Sequence, residues 1–252
     1  MKKLTKRIYW DERWKDMELP RYRDMKTYSM QLIDKLLKKH VKSGENNKFI
    51  EIGCAPGSWM IYFYRNFGFK VYGMDYLKPG IELTKQNLRL ANVEAKLYWG
   101  DIFKNNLKKN YFDIVFSWGL IEHFDNQQLI LRKHYELLKD GGQLIVFVPN
   151  CQGLNNVIQF MFNRKILRAH HKITKEEMQN LFENLKMKDV KTGYIGYFSP
   201  SRYDPGNVFG MSKYKFKKLH DAVGGIANPI LRRLPYFESK YFSAFVYGIA
   251  SK

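Results

Sequence analysis

The chain has 252 residues, of which 45% are hydrophobic and 16% aromatic, and this composition indicates a globular protein and excludes a disordered one. The formal net charge of +19 is uneven: residues 49–150 carry 12 basic and 10 acidic side chains, residues 1–48 carry 14 and 7, and residues 151–252 carry 17 and 7. The apolar runs are too short to span a bilayer, no signal peptide is visible, and Cys54 and Cys151 are too few for a disulfide framework, so a cytoplasmic protein is predicted.

The basic flanks have two interpretations. They suit an acidic partner, such as phosphate, RNA or an anionic membrane surface. Alternatively, the lysines only cover solvated faces, because net charge informs on solubility and association rather than on fold.

The first segment, residues 1–45, is predicted to be helical and rich in aromatic residues and to form an N-terminal cap. Residues 46–150 then alternate strand-like and helix-like patterns, which predict a doubly wound, mainly parallel α/β sheet. The predicted strands are 48–53, 70–75, 95–101, 111–119 and 143–149; the predicted helices are 58–68, 79–92 and about 126–139, with a turn at 140–142.

The last part of the chain, residues 151–252, is predicted to complete the sheet. It contains a helix candidate at 154–162, a helix opened by a Thr174–Glu177 capping box, and strands near 189–198 and 241–252. The insert at about 199–240 is too long for a simple connection and is a candidate substrate lid.

Small and acidic residues follow three successive predicted strands. Gly53 and Gly57 lie in "FIEIGCAPG", Asp75 ends the second strand, and Asp101 follows the third. Ligands of open parallel sheets bind at the carboxyl ends of the strands, where the strand order reverses. The pattern therefore predicts a nucleoside-bearing cofactor, with Asp75 on the ribose hydroxyls and Asp101 near a purine amine.

The segments "FIEIGCAPG", "VYGMD", "WGDIF", "YFDIVFSWGLIEHF" and "LLKDGGQLIVFVPN" resemble the successive motifs of class I S-adenosylmethionine-dependent methyltransferases of the small-molecule type. The resemblance implies a Rossmann-like sheet of seven strands with an antiparallel last strand, and S-adenosyl-L-methionine as cofactor. Ala55 replaces the usual glycine of the first motif. The implied cofactor-binding residues are Glu51, Gly53, Cys54, Gly57, Asp75, Tyr76, Asp101, Ile102, Ser117 and Trp118.

Two neighbouring classes fit the sequence less well. A dinucleotide-binding oxidoreductase needs G-x-G-x-x-G, but here the third small residue falls one position early. The loop "GCAPGSW" is similar to that of heat-shock-type ribosomal-RNA methyltransferases, but Phe147 occupies the place of their lysine on the fifth strand.

Catalysis of methyl transfer needs in-line placement of the acceptor, and a base if the acceptor carries a proton. His123 in "SWGLIEHF" is the candidate general base; the alternative is that His123 and Glu122 only cap the strand. Metal dependence can also be considered. Some relatives carry a second carboxylate three residues before the Glu-His pair, where this chain has Gly119. With one Glu and one His as ligands, no metal is expected.

Aromatic and polar residues of the flanks are candidates for holding the acceptor, although most aromatic residues in any protein are core residues. The chosen residues are Trp10, Trp14, Asn150, Tyr194, Tyr197 and Arg202. The sequence thus predicts methyl transfer to O or N of a small molecule that is anionic or glycosylated. The alternatives are an RNA methyltransferase that uses the basic flanks, and a cofactor-binding module without chemistry. The oligomeric state is not predicted.

Overall fold

The structure is a computed structural model, and it describes most of the chain. The described residues are 4, 5, 10, 14, 17–154, 156, 157, 170–197, 222, 225, 226, 228–233 and 235–252. Within these residues, no helix combines the length and the apolar character that a membrane crossing requires.

The described elements alternate between strands and helices as predicted. The helices are α1 (Tyr28–His40), α2 (Ser58–Phe67), α3 (Lys78–Leu90), α4 (Gln127–Leu137) and α5 (Lys175–Glu183), with a 3₁₀ turn at Ile121–His123. The strands are β1 (Lys48–Ile52), β2 (Lys70–Asp75), β3 (Ala95–Trp99), β4 (Phe112–Trp118), β5 (Leu138–Pro149), β6 (Lys188–Ile195) and β7 (Phe245–Ser251).

The strands form one seven-stranded sheet in the order β3-β2-β1-β4-β5-β7-β6. Strands β1 to β5 pair in parallel, while β7 lies antiparallel between β5 and β6. The predicted doubly wound fold and its antiparallel last strand are therefore confirmed. The order reverses between β1 and β4, so the carboxyl ends of these strands form the crevice at which such sheets bind ligands.

Both faces of the sheet are covered, which explains why the central strands are mostly apolar. On one face, Phe49 and Phe116 pack with Phe63 of α2 at ring-centroid distances of 4.1 and 5.4 Å. On the other face, Phe182 of α5 and Val146 of β5 belong to one buried apolar cluster. The sheet therefore rests between two apolar layers, and its carboxyl edge is held in a fixed position.

Local signals place several helix ends where the sequence predicts them. Helix α2 ends at Gly68, which has φ of 71° and donates its N–H to the Tyr64 carbonyl. The Thr174 hydroxyl accepts from the Glu177 N–H, and the Glu177 carboxylate accepts from the Thr174 N–H, which completes the capping box.

Several predicted boundaries differ from the structure. Strand β5 begins at Leu138, not after a turn at 140–142, because Leu138 pairs with Phe112 before a register shift leads to the Ile114–Gln143 pair. A bulged strand therefore replaces the predicted turn, and α4 ends two residues early. In the N-terminal cap, residues 17–27 are irregular rather than helical.

Much of the predicted lid lies outside the described residues, including residues 198–221, and so does most of the helix candidate at 154–162. Residues 228–233 are helical. The Asn228 side-chain oxygen accepts from the Tyr28 N–H at 3.0 Å, and Arg232 donates to the Lys26 carbonyl at 2.7 Å. This part of the insert therefore packs against the start of α1, and the division into a cap, a core and a C-terminal half stays a prediction.

Candidate active site

The loop after β1 turns sharply and leads directly into α2. Gly53 and Gly57 have φ of 74° and 84°, in the left-handed region that favours glycine. The N–H groups of Gly53 and Cys54 both donate to the Met74 carbonyl, at 2.8 and 3.1 Å. A Cβ at Gly57 would lie 2.8 Å from Cγ2 of Thr84, so the loop is tightly packed against α3. Its glycines allow a ligand to approach the backbone closely.

Two carboxylates close the neighbouring strands. Asp75 ends β2 and is 8% exposed; its oxygens accept from the N–H groups of Leu77, at 2.9 Å, and Ala55, at 3.3 Å. Asp101 follows β3 and accepts from the Phe103 N–H at 3.0 Å. These backbone bonds fix the orientation of both carboxylates.

The ends of the first four strands meet at a cavity of about 150 Å³. Of the predicted site residues, nine line this cavity: Gly53, Asp75, Tyr76, Asp101, Ile102, Trp118, His123, Trp10 and Trp14. The fold thus brings residues that follow the first four strands together with residues of the N-terminal flank at this cavity. The mixture of apolar walls and two carboxylates suits a nucleoside.

The remaining predicted cofactor residues do not line the cavity. Glu51, Cys54 and Ser117 are 3%, 1% and 0% exposed, and burial raises the pKa of the Cys54 thiol. Gly57 forms the start of α2. Within the described part of the chain, one carboxylate oxygen of Glu51 and the Ser117 hydroxyl have no hydrogen-bond partner. Buried polar atoms of this kind fit a site that receives donors from a bound ligand.

Sequence reasoning did not identify Arg23. Its guanidinium lies 4.6 Å from the ring centroid of Trp59 and 5.2 Å from that of Trp118. Burial raises the pKa of Glu51 to about 8, and the nearby charge of Arg23 opposes that rise. An arginine in a charged flank carries no pattern that points to the strand ends, so no sequence signal was available.

His123 lies in the 3₁₀ turn after β4, and its side chain faces the cavity. The Trp10 ring packs edge-on against the imidazole at a centroid distance of 5.2 Å, and Trp14 lies 5.9 Å from Trp10. The two tryptophans therefore form an aromatic wall beside the only histidine that lines the described part of the cavity. This position is consistent with either role foreseen for His123.

Three predicted acceptor-binding residues lie away from the cavity. Asn150 is fully buried, and its amide donates to the carbonyls of Lys240 and Ser243 at 3.0 and 2.8 Å. The Tyr194 hydroxyl accepts from Gln152 at 3.1 Å, and Tyr197 stacks on Tyr28. These contacts do not support a substrate-binding role, because they join segments of this chain to one another. Arg202 lies outside the described residues.

Comparison with known proteins identifies the family. A profile of the methyltransferase domain matches residues 20–202, so the chain belongs to the methyltransferase-domain family. Phosphoethanolamine N-methyltransferase 3 of Arabidopsis thaliana is 25% identical over 39% of this chain and 20% of its own length. The mitochondrial ubiquinone biosynthesis O-methyltransferase of Rattus norvegicus is 26% identical over 63% of this chain and 48% of its own length. The chain thus spans less than half the length of these two relatives.

Solved structures confirm the fold. A SAM-dependent methyltransferase from Archaeoglobus fulgidus superimposes with a TM-score of 0.58 and 16% identity, covering 97% of this chain and 99% of that chain. Phosphoethanolamine N-methyltransferase 2 of Haemonchus contortus, solved with S-adenosyl-L-methionine, has a TM-score of 0.58 and 15% identity, covering 88% of this chain and 52% of that chain.

Proposed function

We propose that this protein transfers a methyl group from S-adenosyl-L-methionine to oxygen or nitrogen of a small-molecule acceptor. The observation that carries the proposal is the meeting of Gly53, Asp75, Asp101 and Trp118 at one cavity, at the point where the strand order reverses. Membership of the methyltransferase-domain family supports the same reaction class.

In this proposal, different residues of the cavity bind different parts of the cofactor. Asp75 accepts from the ribose hydroxyls, Asp101 accepts from the adenine amine with Ile102 against the ring, and the loop containing Gly53 and Gly57 holds the methionine part. Glu51 lies behind that loop, and its carboxylate suits the methionine ammonium. When bound, the cofactor supplies a methyl group that its sulfonium already activates.

The acceptor approaches from the side of Trp10 and Trp14, beside His123. The two indoles bury an apolar or aromatic acceptor, and His123 takes the proton that the acceptor oxygen or nitrogen loses. The names of three curated relatives include both chemistries: phosphoethanolamine and (S)-coclaurine N-methyltransferases and ubiquinone biosynthesis O-methyltransferases. An acceptor that is anionic or glycosylated is consistent with the positive charge of the flanks.

The test incubates the protein with S-adenosylmethionine carrying a labelled methyl group and with a fractionated cell extract. We expect label in one small-molecule fraction, with release of S-adenosylhomocysteine. In that assay, His123→Ala should lower turnover by about a hundredfold, as loss of a general base does, while cofactor affinity stays nearly unchanged.

His40→Ala is the matched control, because His40 lies at the end of α1 and does not line the cavity. Turnover that survives in His123→Ala would remove His123 from the mechanism. Cofactor binding with no transfer to any fraction would instead favour a binding module without chemistry.

A further inference from the structure

Three side chains that are well separated in the sequence converge beside the cavity. Glu122 and His123 come from the turn after β4, and His170 comes from the segment before α5. One ligand atom of each residue lies within 4.8 Å of the other two. We propose that Glu122, His123 and His170 bind a divalent transition-metal ion of the zinc type.

The backbone holds the two segments together. The His171 N–H donates to the Glu122 carbonyl at 2.8 Å, which fixes the neighbouring His170 opposite the turn. The rings of His123 and His170 lie 4.4 Å apart at a tilt of 53°, and Nε2 of His123 is 3.9 Å from Oε1 of Glu122. The cluster is thus fixed by the fold rather than by chance contact between mobile side chains.

The donor set matches a transition metal. Two imidazoles and one carboxylate are the protein ligands of many catalytic zinc sites, which keep a fourth position open. Tetrahedral ligands about 2.0 to 2.1 Å from the ion lie roughly 3.4 Å from one another, so side-chain shifts of about 1 Å close the site. Hard ions such as Mg²⁺ and Ca²⁺ prefer oxygen ligands and fit this set poorly.

Burial and charge agree with the same assignment. Glu122 is 1% exposed and His123 is 5% exposed. One carboxylate and two neutral imidazoles leave one positive charge on a divalent complex, which suits an acceptor that becomes anionic as it loses its proton. The sequence predicted no metal because Glu122 and His123 alone offer only two ligands. His170 adds a third ligand.

The proposed ion lies at the acceptor side of the cavity, because His123 lines that cavity. In this respect the inference rests on the proposed function and changes one role in it. With an ion bound, His123 would be a ligand rather than the general base, and the ion would make the acceptor acidic enough to release its proton to water. A metal ion lowers the pKa of an oxygen that it binds.

The experiment uses the full chain without a histidine tag, after treatment with a chelator. Titration with Co²⁺ should give visible absorption bands of a nitrogen- and oxygen-ligated ion that saturate at one equivalent, and Zn²⁺ should displace them. Glu122→Gln and His170→Ala should each weaken Zn²⁺ binding by at least tenfold.

His171→Ala is the matched control, because His171 is the exposed neighbour of His170 and should bind Zn²⁺ as the unchanged protein does. Absence of a saturable Co²⁺ site, or equal affinity in the unchanged protein and both ligand variants, would overturn the proposal. Calorimetry with S-adenosylhomocysteine on the same samples separates the two claims, because cofactor binding without metal binding refutes only the metal site.

Discussion

Glu51 is an acidic residue of β1, next to the glycine loop. Its burial raises its pKa to about 8, while Arg23 favours the charged form and Asp75 opposes it. Without a ligand, protonation of Glu51 avoids the energetic cost of burying a negative charge. A ligand ammonium in the same place would favour the carboxylate, so the energetic cost of Glu51 is consistent with a binding role rather than a stabilising one.

This pKa leads to a prediction for stability. The ordinary pKa of a glutamate, which applies to the unfolded chain, is 4.5. Between pH 4.5 and about pH 8, Glu51 therefore keeps its proton in the folded protein and has lost it in the unfolded chain. The free energy of unfolding should therefore fall as the pH rises through this window, by at most about 1.4 kcal/mol per pH unit. Glu51→Gln should flatten the decline in denaturant unfolding measured at pH 6 and pH 8.

The control for this experiment is Glu94→Gln, which neutralises an exposed glutamate. That variant should keep the pH dependence of the unchanged protein. An equally steep decline in Glu51→Gln would show that Glu51 is not the group responsible.

At the scale of elements, the β1–α2 loop decides the geometry of the site. Gly57 and Gly141 share a left-handed φ, of 84° and 75°. They differ in their surroundings, since a Cβ at Gly57 would lie 2.8 Å from Thr84, while a Cβ at Gly141 would meet no described atom within 4 Å.

This contrast allows a paired prediction. Gly141→Ala should cost about 1 kcal/mol of stability, the usual penalty of a left-handed alanine. Gly57→Ala should cost more, by about another 1 to 3 kcal/mol of overpacking, and should weaken cofactor binding. Both variants are measured by thermal and denaturant unfolding. If they lose the same stability, the loop around Gly57 has room for an added methyl group, contrary to the packing described.

Most elements were predictable from the sequence because their signals are local. The alternation of apolar runs and amphipathic helices gave the parallel sheet, and Gly68 and Thr174 gave helix ends. The start of β5 was not predictable, because residues 138–142 have the composition of a turn and become a strand only through pairing with Phe112. Tertiary contacts override local preference at that point.

The clearest sequence signals for the site come where motif residues follow strands. Asp75 and Asp101 were found because parallel strands end at the same edge. Arg23 and His170 come from distant segments and enter through tertiary packing, which no spacing reveals. Asn150 and Tyr194 have chemistry suited to ligands, but their polar groups bind neighbouring segments, and this use is visible only in the structure.

At the scale of the whole molecule, the net charge of +19 bears on the choice of acceptor. If RNA were the substrate, neutralisation of six to ten phosphates would lower affinity by about 10³ to 10⁵ between 50 and 200 mM salt. We expect the labelled product to be a small molecule, and we expect transfer to vary less than about tenfold over that range. Label in the RNA fraction with a steep salt dependence would contradict this expectation.

The central claim is that the carboxylate closing β2 holds the ribose of S-adenosylmethionine. Calorimetry with S-adenosylhomocysteine tests it most directly, using the unchanged protein, Asp75→Asn, and Asp140→Asn as a control whose side chain is 96% exposed. We expect one binding site in the unchanged protein and in the control, and an affinity at least tenfold lower in Asp75→Asn. Thermal unfolding checks that all three proteins are folded. No binding heat in the unchanged protein, or the same affinity in all three, would contradict the account.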